Sequence, residues 1–257
     1  MKKLLLSSLV LTSIVAFAYT QTGVDNANFL ADKWIITKQT DPKNYRLDNY
    51  ITRAELVGIS LKLKGIPLPE NYQCKKYFTD VTENDWICRA VEMAADGWLI
   101  SRTNKTFYPQ RYITRSESLS ILLKASGLLD KIPTLTNYID QNFVFVPRNI
   151  NIATYLDTLI TKDPQAKNKK IILTDILDWQ FAIIQKWLYL KIIGSDDFIR
   201  GDNSNFLDDK NNPFSDYISY NIFWFREWLF IRRDDAFKFL KNTYDKQREL
   251  VSGEIGL

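Results

Sequence analysis

The sequence predicts a mainly α fold built from repeated helix–loop–helix units. Three observations carry that expectation. Apolar residues recur at helical spacing in several windows, as helices with one face on a core require. The order of helix, turn-rich loop, Ile-Thr-Arg-x-Glu and second helix occurs twice, with the pentapeptide at 51–55 and again at 113–117. A hydrophobic fraction of 46% beside 25% charged residues gives a chain of 257 residues enough apolar material for a core.

Residues 1–18 stand apart from the fold. Lys2 and Lys3, an apolar run and the ending Ala16-Phe17-Ala18 read as a secretory signal peptide. A retained N-terminal anchor is the alternative reading. No other stretch approaches about 18 consecutive apolar residues, so no integral membrane segment is expected after cleavage.

The first unit spans residues 25–66 and has a shortened front. Its opening helix is read at 28–36, through Phe29, Leu30, Trp34 and Ile36. A polar loop with Asp41-Pro42 as its turn follows. Ile51-Thr52-Arg53-Ala54-Glu55 then starts a helix that Gly65 stops. The second unit, 74–127, repeats this order. A helix at 90–100 ends in Trp98-Leu99-Ile100, answering Trp34-Ile35-Ile36, and Phe107-Tyr108-Pro109 answers Tyr45-Arg46-Leu47.

A third, divergent unit is placed at 171–244. Leu173-Thr174-Asp175-Ile176 answers Phe78-Thr79-Asp80-Val81, and Trp179 aligns with Trp86. Ile192-Ile193-Gly194 then falls on Leu99-Ile100-Ser101, and Ile231-Arg232-Arg233-Asp234-Asp235 on the pentapeptide. An insertion of about 25 residues, at 201–228, separates these parts. Residues 128–170 read as a connecting insert with short ordered elements at 138–145 and 152–160 and a polar loop at 162–170. Residues 245–257 read as a flexible tail.

Thr52 with Glu55, and Thr114 with Glu117, fit the S/T-x-x-E capping box, so structure alone explains all four. Arg53, Arg115 and Arg233 need another reason, because a cation beside the positive end of a helix dipole is mildly unfavourable. Two readings stand side by side. The guanidinium pairs with a carboxylate such as Asp80 or Asp175, or it joins the helix N-terminal amides in holding an anion. Trp34, Trp86, Trp98 and Trp179 sit at helix ends beside these corners. Core packing is the commoner role for Trp at helical spacing, and a platform for a sugar ring is the alternative, with Trp86 the best candidate.

Cys74 and Cys88, in a chain read as exported, form one disulfide closing a loop onto a helix; two free buried thiols are the other possibility. Two cysteines do not make a zinc site. The chain has no histidine, which excludes Ser-His-Asp and Cys-His catalysis and HExxH metal sites. Loss of Lys2 and Lys3 lowers the formal charge from +4 to +2, too mild for a nucleic-acid partner.

Phe78-x-Asp80-Val81, Trp86, Ala90, Ile100, Phe107-x-Pro109 and Ile113-Thr114-Arg115-Ser116-Glu117 resemble the S-layer homology repeat, and Ile51-Thr52-Arg53-Ala54-Glu55 is its usual pentapeptide. The resemblance implies a pseudo-threefold helical bundle of three units, with grooves between units that hold anionic cell-wall polymer, either secondary polysaccharide or peptidoglycan. It points to Arg53, Arg115, Arg233, Asp80, Asp175, Trp86 and Trp179 as ligand-binding residues. It implies a non-enzymatic, exported module at the cell surface without cofactor, with other surface-layer proteins as further partners. A scaffold subunit with vestigial wall sites is the second hypothesis, suggested by the aromatic stretch at 217–230. Arg102 and Lys105 depart from the pattern, standing where the family has glycines.

Overall fold

Two capping boxes set the start of the two best-matched helices. The computed structural model describes residues 21–83, 86–129, 131, 143–147, 161, 170–174, 184, 186–193, 199–200, 222–224 and 230–252. In it α2 (Arg53–Leu63) begins where the Glu55 amide donates to Thr52 Oγ1 at 3.3 Å and the Thr52 amide donates to Glu55 Oε2 at 2.9 Å. The start of α4 (Arg115–Ala125) repeats this with Thr114 and Glu117, at 3.3 and 3.1 Å. Both reciprocal pairs satisfy amides that the first helical turn would leave bare.

The opening helices begin and end earlier than their apolar spacing suggests. α1 is Gln21–Asp32 and α3 is Trp86–Asp96, against the expected 28–36 and 90–100. Trp34 and Trp98 each take a left-handed backbone, φ 61°, and leave the helix there. The amides that follow bond back: Ile35 N to Leu30 O at 3.0 Å and Leu99 N to Ala94 O at 2.9 Å. This double bond pattern is the usual helix C-cap, and it swings the next apolar residues, Ile35 and Leu99, into the core. Lys191, which the alignment places opposite the two tryptophans, makes the same turn at φ 56°, with Ile192 N on Trp187 O at 3.0 Å.

The final helix, α5 (Arg233–Ser252), starts without a capping Thr and continues through most of the expected tail. Packing explains the difference. Tyr244 meets Phe29 of α1 edge-on at 5.6 Å, Leu250 packs on the core, and Lys241–Asp245 supplies an i,i+4 pair. One apolar cluster joins α1 to α5, α2 to α3 and α4, and α4 to α5, through Leu30, Leu61, Leu119, Trp187 and Phe237.

The described chain is mainly helical, as the repeats predict, with one addition. Four short strands form a sheet in the order β1-β2-β4-β3: β1 (Phe143–Pro147), β2 (Lys170–Thr174), β3 (Ile199–Arg200) and β4 (Ile222–Trp224). β1 pairs with β2 and β2 with β4 in parallel, while β3 runs antiparallel to β4. The apolar runs FVFV, IILT and IFW suit such strands. Strands thus tie the expected insert to the front of the expected third unit, and Lys170 belongs to β2 instead of a polar loop. Residues 1–20 and 253–257, with the expected signal peptide and the end of the expected tail, lie outside the described residues, as do 152–160 and 201–221.

Candidate functional site

Three corners of the chain meet in a closed ring. Ile51 N donates to Ile231 O at 3.1 Å, Ile231 N to Ile113 O at 3.0 Å, and Ile113 N to Ile51 O at 3.2 Å. All three isoleucines are fully buried. The arginines beside them repeat the cycle. Arg53 Nη1 reaches Glu117 Oε1 at 3.0 Å, Arg115 Nη1 reaches Asp235 Oδ2 at 3.1 Å, and Arg233 Nη2 pairs with Glu55 Oε1. Each arginine holds the acidic residue in the first turn of the next corner's helix.

The arginines have partners of the kind the first reading expected, with a correction. The guanidinium does pair with a carboxylate, but the carboxylate comes from a neighbouring helix start and not from Asp80. Asp80 accepts the amides of Phe107 at 2.8 Å and Tyr108 at 2.6 Å, which fixes the loop where Tyr108 adopts φ 59°. Asp175 and Trp179 lie outside the described residues.

Glu117 is the most heavily used acid of the ring. Burial pushes its carboxyl up, yet hydrogen bonds from Arg111 (2.6 Å) and the Thr114 amide, with the charges of Arg53 and Arg111, hold it below the ordinary value. Arg53 stacks over Phe107 at 4.9 Å and Arg115 over Phe239 at 5.5 Å. Arg115 is only 7% exposed and is tied into the fold. Outside the ring's isoleucines, Tyr50, Tyr112 and Phe230 touch one another at 5.3 to 6.0 Å and remain partly exposed.

Of the expected ligand residues, Trp86 and Arg233 are brought together. They line one cleft of about 430 Å³ between α2, the start of α3, the start of α5 and the segment after α1. Trp86 reaches across Gly58, where a methyl group would stand 3.3 Å from Cζ3, so the missing side chain makes room for the indole. Two residues the sequence reading missed, Lys62 and Arg89, line the same cleft. Their signal was periodicity: Trp86 and Arg89 are i,i+3 on α3, while Glu55, Gly58 and Lys62 share a face of α2. Nε of Arg233 and of Arg89 is buried with no hydrogen-bond acceptor among the described residues, a feature shared with Arg53 of the ring and so no mark of the cleft. An aromatic face beside two guanidiniums suits an anionic group carried on a ring.

Trp34 and Trp98 do not take the core role that helical spacing favours. They are 86% and 85% exposed, because the left-handed turn points each side chain outward while its successor turns in.

Near α3, Cys74 and Cys88 form the expected disulfide, with Cα atoms 6.2 Å apart. Glu92 lies beside it and could suggest a metal ligand. Its carboxylate is instead filled by the amides of Lys75 (2.6 Å) and Tyr77 (2.9 Å) and by the Tyr72 hydroxyl (3.3 Å). Arg102 has a local explanation too: it pairs with Asp96 and lies 4.4 Å over the Tyr77 ring.

Residues 77–117 match the family model of the S-layer homology domain. Domains of this family anchor proteins to the cell wall and are non-catalytic. The chain is 33% identical over 118 residues to an exoglucanase, XynX, of Acetivibrio thermocellus, covering 46% of this chain and 10% of that one. It is 31% identical over 135 residues to an amylopullulanase of Thermoanaerobacterium thermosulfurigenes, covering 49% and 7%. It therefore spans a tenth or less of these relatives' lengths. No helix among the described residues is long and apolar enough to cross a membrane.

Proposed function

We propose that this S-layer homology protein is an exported, non-catalytic module that binds anionic cell-wall polymer in grooves between pseudo-threefold units. One observation carries the reading: Trp86, Arg233 and Arg89 line one cleft, an aromatic face beside two guanidiniums. An anionic ligand would pair with both of them. The ring of ion pairs gives Arg53 and Arg115 the task of holding the corners in register. Arg233 then serves both ring and ligand, with Trp86 stacking against a sugar.

Because the ring arginines support the fold, the test belongs at Trp86 and Arg89. Pelleting with purified cell-wall sacculi, before and after hydrofluoric acid removes phosphate-linked polymer, measures binding and separates polysaccharide from peptidoglycan. Trp86→Ala and Arg89→Ala should each weaken binding by about tenfold with unchanged circular dichroism. Parent-like pelleting by both variants would reject the cleft as the site.

The exposed trio of Tyr50, Tyr112 and Phe230 favours a second reading, a scaffold subunit whose partners dock on the ring. Light scattering that finds a concentration-independent monomer, unchanged by other surface-layer proteins, would count against it.

A further inference from the structure

The molecule carries two large apolar side chains that its own stability does not explain. Trp34 and Trp98 both occupy left-handed turn positions, φ 61°, where glycine is the usual residue and a bulky side chain is strained. Each indole is more than four-fifths exposed, so little packing offsets that strain. The same choice is made at two equivalent turns, and the third equivalent position presents an exposed lysine, Lys191.

The residues next to both tryptophans, Gly97 and Ile35, lie near the C-terminal end of α2. Lys64, just past the helix, donates from Nζ to Gly97 O at 3.3 Å, which sets it beside Trp98. Lys62 shares the cleft wall with Ile35 and Ile36, next to Trp34. The ring of arginines lies at the opposite end of this helix, about 16 Å away for eleven residues at the α-helical rise. The cleft itself runs between these ends, from Glu55 and Arg233 to Lys62 and Ile36. A chain molecule held at Arg233 and lying in the cleft would leave it past Ile35 and Ile36, the residues that follow Trp34.

We propose that Trp34 and Trp98, with Lys62 and Lys64 at the same end of α2, form a second binding surface that stacks sugar rings of an anionic polysaccharide continuing out of the Trp86 cleft. This rests on the wall-polymer reading and names what lies beyond its cleft. An indole face suits the C–H face of a pyranose, and the polar groups around each ring suit its hydroxyls. Asp32 and Lys38 pair at 2.6 Å near Trp34, and Asp96 with Arg102 lies near Trp98. Both carboxylates are thus neutralised by a cation, and two separate indoles do not make the contiguous apolar patch of a protein interface. The lysines supply attraction for the polymer's anions.

The test uses a variant that should fold at least as well as the parent, Trp34→Gly with Trp98→Gly, since glycine relieves both turns. The probes are anionic polysaccharide fragments released from cell-wall sacculi, fractionated into single repeat units and chains of several units, with phosphatidylglycerol vesicles as a third arm. Titration of the parent with long chains should blue-shift its indole emission. The double variant should bind long chains about tenfold more weakly and single units unchanged. Equal affinity of parent and double variant for long chains overturns the proposal, while single-unit binding that persists leaves the cleft reading standing. A parent that binds neither fragment size overturns both. Loss of vesicle binding in the variant, with long-chain binding intact, overturns the glycan assignment in favour of a lipid surface.

Discussion

Arg53 and Glu117, 64 residues apart in the chain, meet at 3.0 Å, and the same Glu117 closes the Thr114 cap of α4. One carboxylate therefore serves a local and a long-range function. Thr114→Ala removes only the cap and should cost about 1 kcal/mol. Glu117→Ala also leaves Arg53 without its acid and should cost about 2 kcal/mol. The two losses should fall short of additive in the double variant, because they share Glu117. Urea denaturation of the four proteins checks this, and full additivity would mean that cap and ion pair are independent.

Burial ranks the three ring arginines. Arg115 has the least exposed side chain, 8%, against 12% for Arg233 and 21% for Arg53. Arg115→Ala should destabilise by about 2 kcal/mol, through the lost charged hydrogen bond and the packing of a nearly buried side chain. Arg53→Ala should cost less, since its own side chain is the most exposed of the three. Equal losses in thermal unfolding would remove burial as the deciding factor.

Acid should loosen the ring. The folded pKa of Glu117 lies below its ordinary 4.5, so its contribution is present above that value and is lost as pH falls through the lowered one. Stability measured between about pH 5 and 3 should fall less steeply in Glu117→Gln than in the parent. Asp234 works in the opposite sense. Burial raises its carboxyl above the ordinary 3.8, with Asp235 and Asp48 adding to the effect against the Asp235 amide and Arg232. Its contribution is present at low pH and lost as pH rises through the raised value, so Asp234→Asn should be more stable than the parent at neutral pH. A variant less stable at pH 7 would contradict that sign.

The exposed tryptophans make the opposite prediction from core residues. Trp34→Gly and Trp98→Gly should each gain about 1 kcal/mol by relieving a left-handed turn. A core tryptophan such as Trp187, fully buried, should lose about 3 to 5 kcal/mol when cut to Ala. Thermal unfolding of the three variants separates the cases, and a loss of stability in either glycine variant would show that the exposed indole packs in solution.

The sequence by itself determined what depends on neighbours a few residues away. Thr52, Glu55, Thr114 and Glu117 were legible as caps because a capping box is complete within four residues. The core placement of Leu30, Leu61 and Leu119 followed from helical spacing, and the tie between Cys74 and Cys88 from their number and the expected export. Tertiary structure decided the rest. Nothing near Arg53, Arg115 or Arg233 in the chain names Glu117, Asp235 or Glu55 as partner, since those acids become neighbours only when Ile51, Ile113 and Ile231 close their ring. The same limit hid the sheet, where β2 and β4 pair across the inserted segment. It hid Trp34 and Trp98 as well: spacing put them on an apolar face, and one left-handed turn at each helix end sent them into solvent.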